Sequence, residues 1–140
     1  MPHSKSAIYV HIVWATWERE PMITEMWSNR IYGCIRSIIN DQSCEPIALG
    51  GMPDHIHALV RLRPTVAVAS LVKRIKGASS RMMNEQLTGA SAFKWQRGYG
   101  AFSLSFTDLD AAEYYVRNQE HHHTVGAIWP VWEETPDADD

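Results

Sequence analysis

The chain has no long hydrophobic run: no apolar stretch in its 140 residues approaches the roughly 18 that a membrane-spanning helix needs. The opening MPHSKSAIYVHIVWATW lacks the charged start, the uninterrupted apolar core and the small-residue cleavage site of a signal peptide. These absences argue against the integral membrane and exported classes. We therefore expect a cytoplasmic protein without membrane partners.

Cysteine is also scarce, with only Cys34 and Cys44 present and no CxxC spacing between them. The two lie on different predicted elements, so free thiols are expected rather than a disulfide framework. Hydrophobic residues make up 45% and charged residues 21% of the chain, as in ordinary globular proteins. A single domain of this length can bury a hydrophobic core without disulfides or structural metal ions.

Positive charge is scarce overall, with a net charge of -3, but it is segregated along the chain. Residues 61–97 contain a single acid, Glu85, while the last eight residues contain acids and no base. A basic surface can attract phosphate whatever the net charge of the whole chain, because charges more than about 8–10 Å away are largely screened by salt. The alternative is that these basic residues only form a solvated charged surface. The basic residues of this region are Arg61, Arg63, Lys73, Arg74, Lys76, Arg81, Lys94 and Arg97.

Hydrophobic periodicity predicts an α+β fold. Period-two patterns rich in β-branched residues indicate strands, and apolar residues at three- and four-residue spacing indicate amphipathic helices. The resulting order, β-α-β-β-α-β-α, matches the ferredoxin-like βαββαβ arrangement in its first six elements. We expect an antiparallel sheet with helices on one face, plus a C-terminal helix. The predicted elements are strands over 6–15, 44–51, 54–63 and 93–106, and helices over 24–41, 65–87 and 107–123.

Two histidines, His55 and His57, stand one residue apart in the predicted strand DHIHALV. Successive strand side chains point to opposite faces, so both imidazoles project from one face, about 6.5–7 Å apart along the chain. Such a pair can share a metal ion, but half-buried histidines often only make local hydrogen bonds. Asp54 either orients one of these histidines or serves the turn. His11 and His3 are interpreted as structural or exposed.

The last predicted helix carries Tyr115 and Gln119, which are four residues apart and therefore neighbours on one helix face. A phenol nucleophile and an amide oxygen ligand could be presented together. Gln119 would complete a His-His-Gln site with water and phosphate oxygens, a set that suits manganese or magnesium. The alternative is that Tyr115 is a core or stacking residue. Tyr114 points about 100° away around the helix and is interpreted as packing.

Several stretches, taken in order, resemble the single-tyrosine HUH transposases, the insertion-sequence and REP-associated tyrosine transposases that act on single-stranded DNA. The family's His-hydrophobic-His motif is here His55-Ile56-His57. The resemblance covers roughly residues 7–123, and several ordered motifs are more specific than any one of them. The other matching stretches are VWATWEREP, SLVKRIKGASSRMMN, KWQRGYGAFSLS and YYVRNQEHH.

The resemblance implies an enzyme that cleaves and rejoins single-stranded DNA. In this family the nucleophile, here Tyr115, attacks the scissile phosphate and keeps the 5′ phosphate as a phosphotyrosine. His55, His57 and Gln119 would then bind a divalent ion, Mg²⁺ or Mn²⁺. A 3′ hydroxyl leaves, and another 3′ hydroxyl later attacks the phosphotyrosine, so no ATP is needed. By their position, His121, His122 and His123 form a solvated helix end, or else His122 and His123, one turn beyond Gln119, join the site.

The resemblance also implies DNA hairpin recognition and a homodimer with sheets joined edge to edge, in which one subunit's tyrosine helix completes the other's histidine pair. Backbone phosphate contacts would set DNA affinity. The expected DNA-binding residues are Lys73, Arg74, Lys76 and Arg81. We expect the transposase domain to span residues 1–124. Residues 125–140 form an acidic tail, unlike the basic or helical ends expected of a DNA enzyme.

Two other hypotheses remain open from the sequence. A ferredoxin-like sheet can bind single-stranded nucleic acid without chemistry, as a domesticated transposase would. A small replication-initiator-like nickase would share the histidine pair and the tyrosine, although such proteins usually carry helicase domains for which 140 residues leave no room.

Overall fold

A computed structural model describes residues 4–86 and 92–119 of the chain. The predicted order of elements is confirmed, with short 3₁₀ turns at Trp17–Arg19 and Phe106–Asp108. The predicted boundary at residue 124, the acidic tail and His121, His122 and His123 lie outside the described residues. The main elements are β1 (Tyr9–Ala15), α1 (Glu25–Asp41), β2 (Glu45–Met52), β3 (His55–Arg61), α2 (Val68–Gln86), β4 (Gly100–Leu104) and α3 (Leu109–Arg117).

The four strands form one antiparallel sheet in the order β2-β3-β1-β4, the order of a split βαβ fold. Pro53 and Asp54 make the tight turn between β2 and β3, as the predicted hairpin requires. His57 of β3 pairs with Val13 on the neighbouring strand β1 and with Gly50 on the other neighbouring strand, β2. His57 therefore lies in the middle of three paired strands.

The central strand β1 is buried along its whole length because both faces of the sheet are covered. Ile12 and Trp14 belong to the larger core, together with Ile35 of α1 and Ile75 of α2. On the opposite face, Leu59 packs in a smaller core that includes Ala48 and two side chains of α3, Ala112 and Val116. Helices α1 and α2 thus cover one face, and α3 covers the face that carries His55 and His57.

The last strand is shorter than the predicted strand over 93–106. Trp95 makes only an isolated bridge to Thr16, and regular pairing begins at Gly100. Between them Gly98 adopts a φ of 81°, a left-handed conformation that favours glycine. The chain therefore bends out of the sheet after Trp95 and returns at Gly100.

The final helix also ends earlier than the sequence pattern indicates. Within the described residues α3 stops at Arg117, and Asn118 leaves the helical region with φ -111° and ψ 36°. The Tyr114 carbonyl accepts from both the backbone N–H of Asn118, over 3.1 Å, and its side-chain Nδ2, over 2.8 Å, and these bonds close the helix end. No helix within residues 4–86 and 92–119 is long and apolar enough to cross a membrane.

Candidate active site

His55 opens β3 directly after the turn, and Asp54 holds its ring. The distance from His55 Nδ1 to Asp54 Oδ1 is 2.7 Å, and Asp54 Oδ2 lies 3.7 Å from the guanidinium of Arg19. The hydrogen bond from His55 lowers the pKa of Asp54, with help from the nearby charges and against the effect of burial. Because an ionised carboxylate only accepts, Nδ1 of His55 donates to Asp54, and Nε2 lies on the side of the ring away from Asp54.

Asp54 serves the turn as well as the histidine. Its backbone carbonyl accepts from Thr16 N over 2.9 Å and from Thr16 Oγ1 over 3.1 Å. Both roles left open from the sequence are therefore present in the structure.

His57 lies on the same face of β3 as His55, as the strand periodicity predicts. The two ring centroids are 5.0 Å apart and the ring planes are inclined by 74°. Both side chains are buried beneath α3, with 2% of His55 and none of His57 exposed. The pair is thus an interior feature of the face that α3 covers.

A third histidine, His11 of β1, belongs to this group and was missed from the sequence, where it was interpreted as structural or exposed. Its Nε2 lies 2.7 Å from Nδ1 of His57, and it is fully buried. His11 pairs in register with Leu59, so it is the diagonal neighbour of His57. Only the strand register brings the two rings together, and the sequence pattern does not specify that register.

Tyr115 of α3 packs directly on His57. Its ring is edge-on to that of His57, with centroids 5.9 Å apart and planes at 80°, and it is fully buried. Tyr114, by contrast, is 58% exposed. The interpretation of Tyr114 as a packing residue is therefore wrong, because α3 turns that side chain toward solvent.

Gln119 is buried just beyond the end of α3, with its side-chain Nε2 donating to the carbonyl of Tyr115 over 3.0 Å. This bond keeps the two residues adjacent although the regular helix has ended. Gln119 also lines a cavity of about 510 Å³ with Gly50 and Gly51 of β2. In the part of the chain that the structure describes, no three His, Cys, Asp or Glu side chains are grouped to hold a metal ion. A metal site there would need another donor type, such as an amide oxygen.

A strained turn borders the site beside Asp54. Glu18 and Arg19 have φ values of 53° and 57°, a left-handed conformation that is uncommon for residues other than glycine. Surrounding contacts fix the turn: Glu18 N donates to Gln96 Oε1 over 3.1 Å, and Thr16 Oγ1 donates to the carbonyl of Glu20 over 2.6 Å. The turn thereby carries Arg19 to Asp54, a contact that sequence spacing does not show.

The four predicted DNA-binding cations all lie on α2, which covers the opposite face of the sheet from the histidines. Lys73, Arg74 and Arg81 are exposed. Lys76 is half-buried and donates to the carbonyls of Gln96 at 2.8 Å and Gly98 at 2.5 Å. Burial lowers its pKa to about 8. Lys76 therefore fixes the segment that leads into β4, and DNA contact remains a prediction for all four residues.

The further cations of the basic region are spread over the molecule. Arg61, Arg63, Lys94 and Arg97 are all exposed. The Lys94 ammonium lies 3.8 Å from the centroid of the Trp17 ring, in the strained turn. Arg61 donates to the carbonyl of Ser6 over 2.6 Å, at the end of β3 that is remote from His55. Lys94 thus stands at the histidine end of the sheet.

Comparison with known proteins decides the family. The family model described as IS200-like transposase matches residues 4–119, most of the chain. The chain belongs to the IS200-like transposases. It is thus a member of the single-tyrosine HUH transposases, and the resemblance carried by the sequence motifs is confirmed.

Individual relatives agree with this assignment. The transposase is 27% identical over 116 residues to the ISDra2 transposase TnpA of Deinococcus radiodurans, an alignment covering 78% of this chain and 81% of that protein. Its fold matches a crystal structure of a Deinococcus radiodurans R1 protein assigned to the transposases, with a TM-score of 0.68, 24% identity, and 85% and 95% coverage of the two chains. It also matches a REP-associated tyrosine transposase bound to a REP hairpin, with a TM-score of 0.66, 13% identity, and 100% and 94% coverage.

Proposed function

We propose that this transposase cleaves and rejoins single-stranded DNA through a covalent 5′-phosphotyrosine formed on Tyr115. The observation that carries the proposal is the contact between the ring of Tyr115 and His57, within the family's His-hydrophobic-His motif. Two tyrosines are adjacent in α3, and only Tyr115 faces the histidine pair. This contact supports Tyr115 as the nucleophile of a site that also contains the candidate ligand His57.

The chemistry on the protein side is a displacement at phosphorus. The phenolic oxygen of Tyr115 would form a bond to phosphorus while the bond to the 3′ oxygen breaks. The phenol gives up a proton and the departing 3′ oxygen takes one up, so the step is balanced. A phenol of pKa about 10 is a weak nucleophile at neutral pH, so the site must activate it or its phosphate target.

The donor set fits a divalent cation. His55 is held at Nδ1 by Asp54, the carboxylate-histidine arrangement that commonly orients a metal ligand, and its Nε2 can bind. His57 and Gln119 would supply an imidazole nitrogen and an amide oxygen. We therefore propose His55, His57 and Gln119 as ligands for Mg²⁺ or Mn²⁺. When bound, such an ion would withdraw charge from a nonbridging phosphate oxygen.

Access of DNA requires α3 to move, because Tyr115 and both histidines are buried. We propose that the helix is displaced when DNA binds, in a homodimer whose sheets join edge to edge. The outer edge of β4 supports this arrangement, since β4 pairs only with β1 in the described residues. An edge strand presents unpaired backbone groups to which a second copy can bond.

The proposed substrate is single-stranded DNA with a hairpin at or near the cleavage point. A relative of the same fold binds a REP hairpin. The exposed cations Lys73, Arg74 and Arg81 would contact backbone phosphates. The half-buried Lys76 would lie at the edge of this basic surface. Such contacts position DNA without specifying sequence.

The test is adduct formation on DNA. The full chain is incubated with Mn²⁺ and single-stranded hairpin DNA taken from the flanks of its own gene, and a denaturant-stable protein–DNA adduct is sought. We expect an adduct with the wild type and with Tyr114→Phe, and none with Tyr115→Phe. Tyr114→Phe is a matched control because it removes the adjacent, exposed phenol.

Binding without any adduct would instead favour a non-catalytic DNA-binding module. An adduct that persists in Tyr115→Phe would place the nucleophile elsewhere.

A further inference from the structure

The contact between His11 and His57 is a hydrogen bond rather than a stacking contact. The ring planes are inclined by only 12°, the centroids lie 4.9 Å apart, and Nε2 of His11 is 2.7 Å from Nδ1 of His57. Two rings joined nitrogen to nitrogen in nearly one plane have this geometry. One of the two nitrogens therefore donates and the other accepts.

We propose that His11 is a positioning residue that fixes His57 in the tautomer protonated at Nδ1. His11 Nε2 then accepts from His57 Nδ1, and the lone pair of His57 lies at Nε2, where it can bind the metal. The opposite arrangement would leave a proton on Nε2 of His57 and prevent ligation. This inference rests on the proposed function, because it concerns the proposed divalent ion.

The two histidines of the motif are thus held alike at Nδ1 but by different partners. Asp54, which is partly exposed in the turn, accepts from His55. His11, in contrast, is fully buried on the central strand. A carboxylate at that position would pay a large desolvation cost, whereas a neutral imidazole accepts the same hydrogen bond without bringing a charge into the sheet. The burial of β1 therefore explains why a histidine holds His57.

A packing role is the alternative, because His11 also lies beside Phe102 of β4, with ring centroids 6.1 Å apart. Two substitutions separate the roles. His11→Phe keeps an aromatic ring and removes the acceptor, while His11→Gln loses the ring and can place an acceptor oxygen near the original Nε2. A packing role favours phenylalanine, and a positioning role favours glutamine.

The first measurement uses the wild-type full chain. ¹⁵N NMR of its histidine side chains, assigned with His57→Gln and His11→Gln, reports which ring nitrogen of His57 carries the proton. We expect the proton on Nδ1, both without and with a diamagnetic Mg²⁺ load. Protonation at Nε2 would overturn the proposal, and this result does not depend on whether any His11 variant folds.

The second measurement is the affinity for Mn²⁺ by titration calorimetry, without DNA. We expect His11→Phe to bind Mn²⁺ about 10–100-fold more weakly, which is the usual loss when the hydrogen-bond partner of a metal-ligating histidine is removed. His11→Gln should recover most of that affinity. Tyr9→Phe, a change on the same face of β1 away from the histidine pair, serves as the control and should bind like the wild type. Thermal unfolding confirms that each variant is folded.

His55→Ala separates the two proposals. If His55→Ala binds Mn²⁺ as tightly as the wild type, the proposed metal site is wrong and the role of His11 fails with it. If His55→Ala loses affinity while His11→Phe does not, the metal site stands and only the positioning role is overturned.

Discussion

Gly50 of β2 lies against the backbone carbonyl of Val116, leaving no room for a side chain between the sheet and α3. Val116 directly follows Tyr115, so this contact sets the height of the tyrosine above the sheet. A methyl group at position 50 would meet backbone atoms, which cannot rotate away as a flexible side chain can. The helix itself would have to shift.

Gly50→Ala should therefore displace α3 and with it Tyr115. We expect the free energy of unfolding to fall by about 1–3 kcal/mol, the usual cost of overpacking. Urea unfolding measures this effect.

Gly77→Ala is the matched control. Gly77 lies within α2, and an added methyl group there meets nothing within 4 Å. We expect this variant to be more stable by up to about 1 kcal/mol, because alanine is the better helix former. Equal effects of the two substitutions would contradict the close-contact argument.

Sequence periodicity was sufficient for the fold because strands and helices leave different repeats of apolar residues. Local pattern alone predicted strands over 6–15 and 54–63, where the structure has Tyr9–Ala15 and His55–Arg61, and the common face of His55 and His57 followed from strand geometry. His11 was missed for the opposite reason. Its contact with His57 depends on which residues of β1 and β3 face each other, a property of the register between distant segments.

The end of the chain shows a second limit of local pattern. Helical spacing predicted that Tyr115 and Gln119 would be neighbours, and they are, but through a side-chain hydrogen bond beyond the end of α3. Lys76 illustrates the same limit in the basic region, since only the fold reveals that its ammonium meets two backbone carbonyls. Patterns identify which residues an element carries, and tertiary contacts decide what each one does.

Asp54 should make the free energy of unfolding depend on pH in the acid range. Its pKa is lowered in the folded protein, chiefly by the hydrogen bond from His55, from an ordinary value of about 3.9. The stabilisation is therefore present above about pH 4 and is lost as the pH falls through the lower folded value. We expect Asp54→Asn to unfold about 1–3 kcal/mol more easily at pH 7, with the difference shrinking below pH 4.

Urea unfolding of both proteins between pH 2.5 and 7 measures this dependence. Asp41 is exposed at the end of α1, so Asp41→Asn controls for the removal of one carboxylate. A wild-type advantage over Asp54→Asn that stayed constant down to the lowest pH would show that the advantage does not come from the ionised carboxylate of Asp54.

Lys76 should make the free energy of unfolding depend on pH in the alkaline range. Its folded pKa of about 8 lies below the ordinary value of about 10.4, because burial disfavours the charged amine. Between these two pH values the unfolded chain binds more protons, so stability rises with pH, while below pH 8 the cost of burying the charge is fully present. Relative to Lys76→Met, the wild type should become more stable from pH 8 to about 10.4.

Unfolding curves collected across this range provide the measurement. Lys73→Met changes an exposed lysine on the same helix and should show no such rise relative to the wild type. Parallel pH profiles for the wild type and Lys76→Met would refute a lowered amine pKa.

The exposed cations of α2 should govern the salt dependence of DNA binding. Each phosphate contact on single-stranded DNA contributes about 0.7 to the slope of log affinity against log salt. Replacing Lys73, Arg74 and Arg81 together by glutamine should therefore reduce the slope by about 2, measured by fluorescence anisotropy between 50 and 300 mM NaCl.

The matched pair for this test is Arg74→Gln on α2 and Arg36→Gln on α1, each of which removes one exposed guanidinium. Arg74→Gln should lower the slope by about 0.7, and Arg36→Gln should leave it unchanged. Because α2 lies on the opposite face of the sheet from Tyr115, a reduced slope would mean that bound DNA extends around the sheet from the buried site to this helix. An unchanged slope in the triple variant would exclude α2 from the interface and direct the search to Lys94, which lies at the histidine end of the sheet.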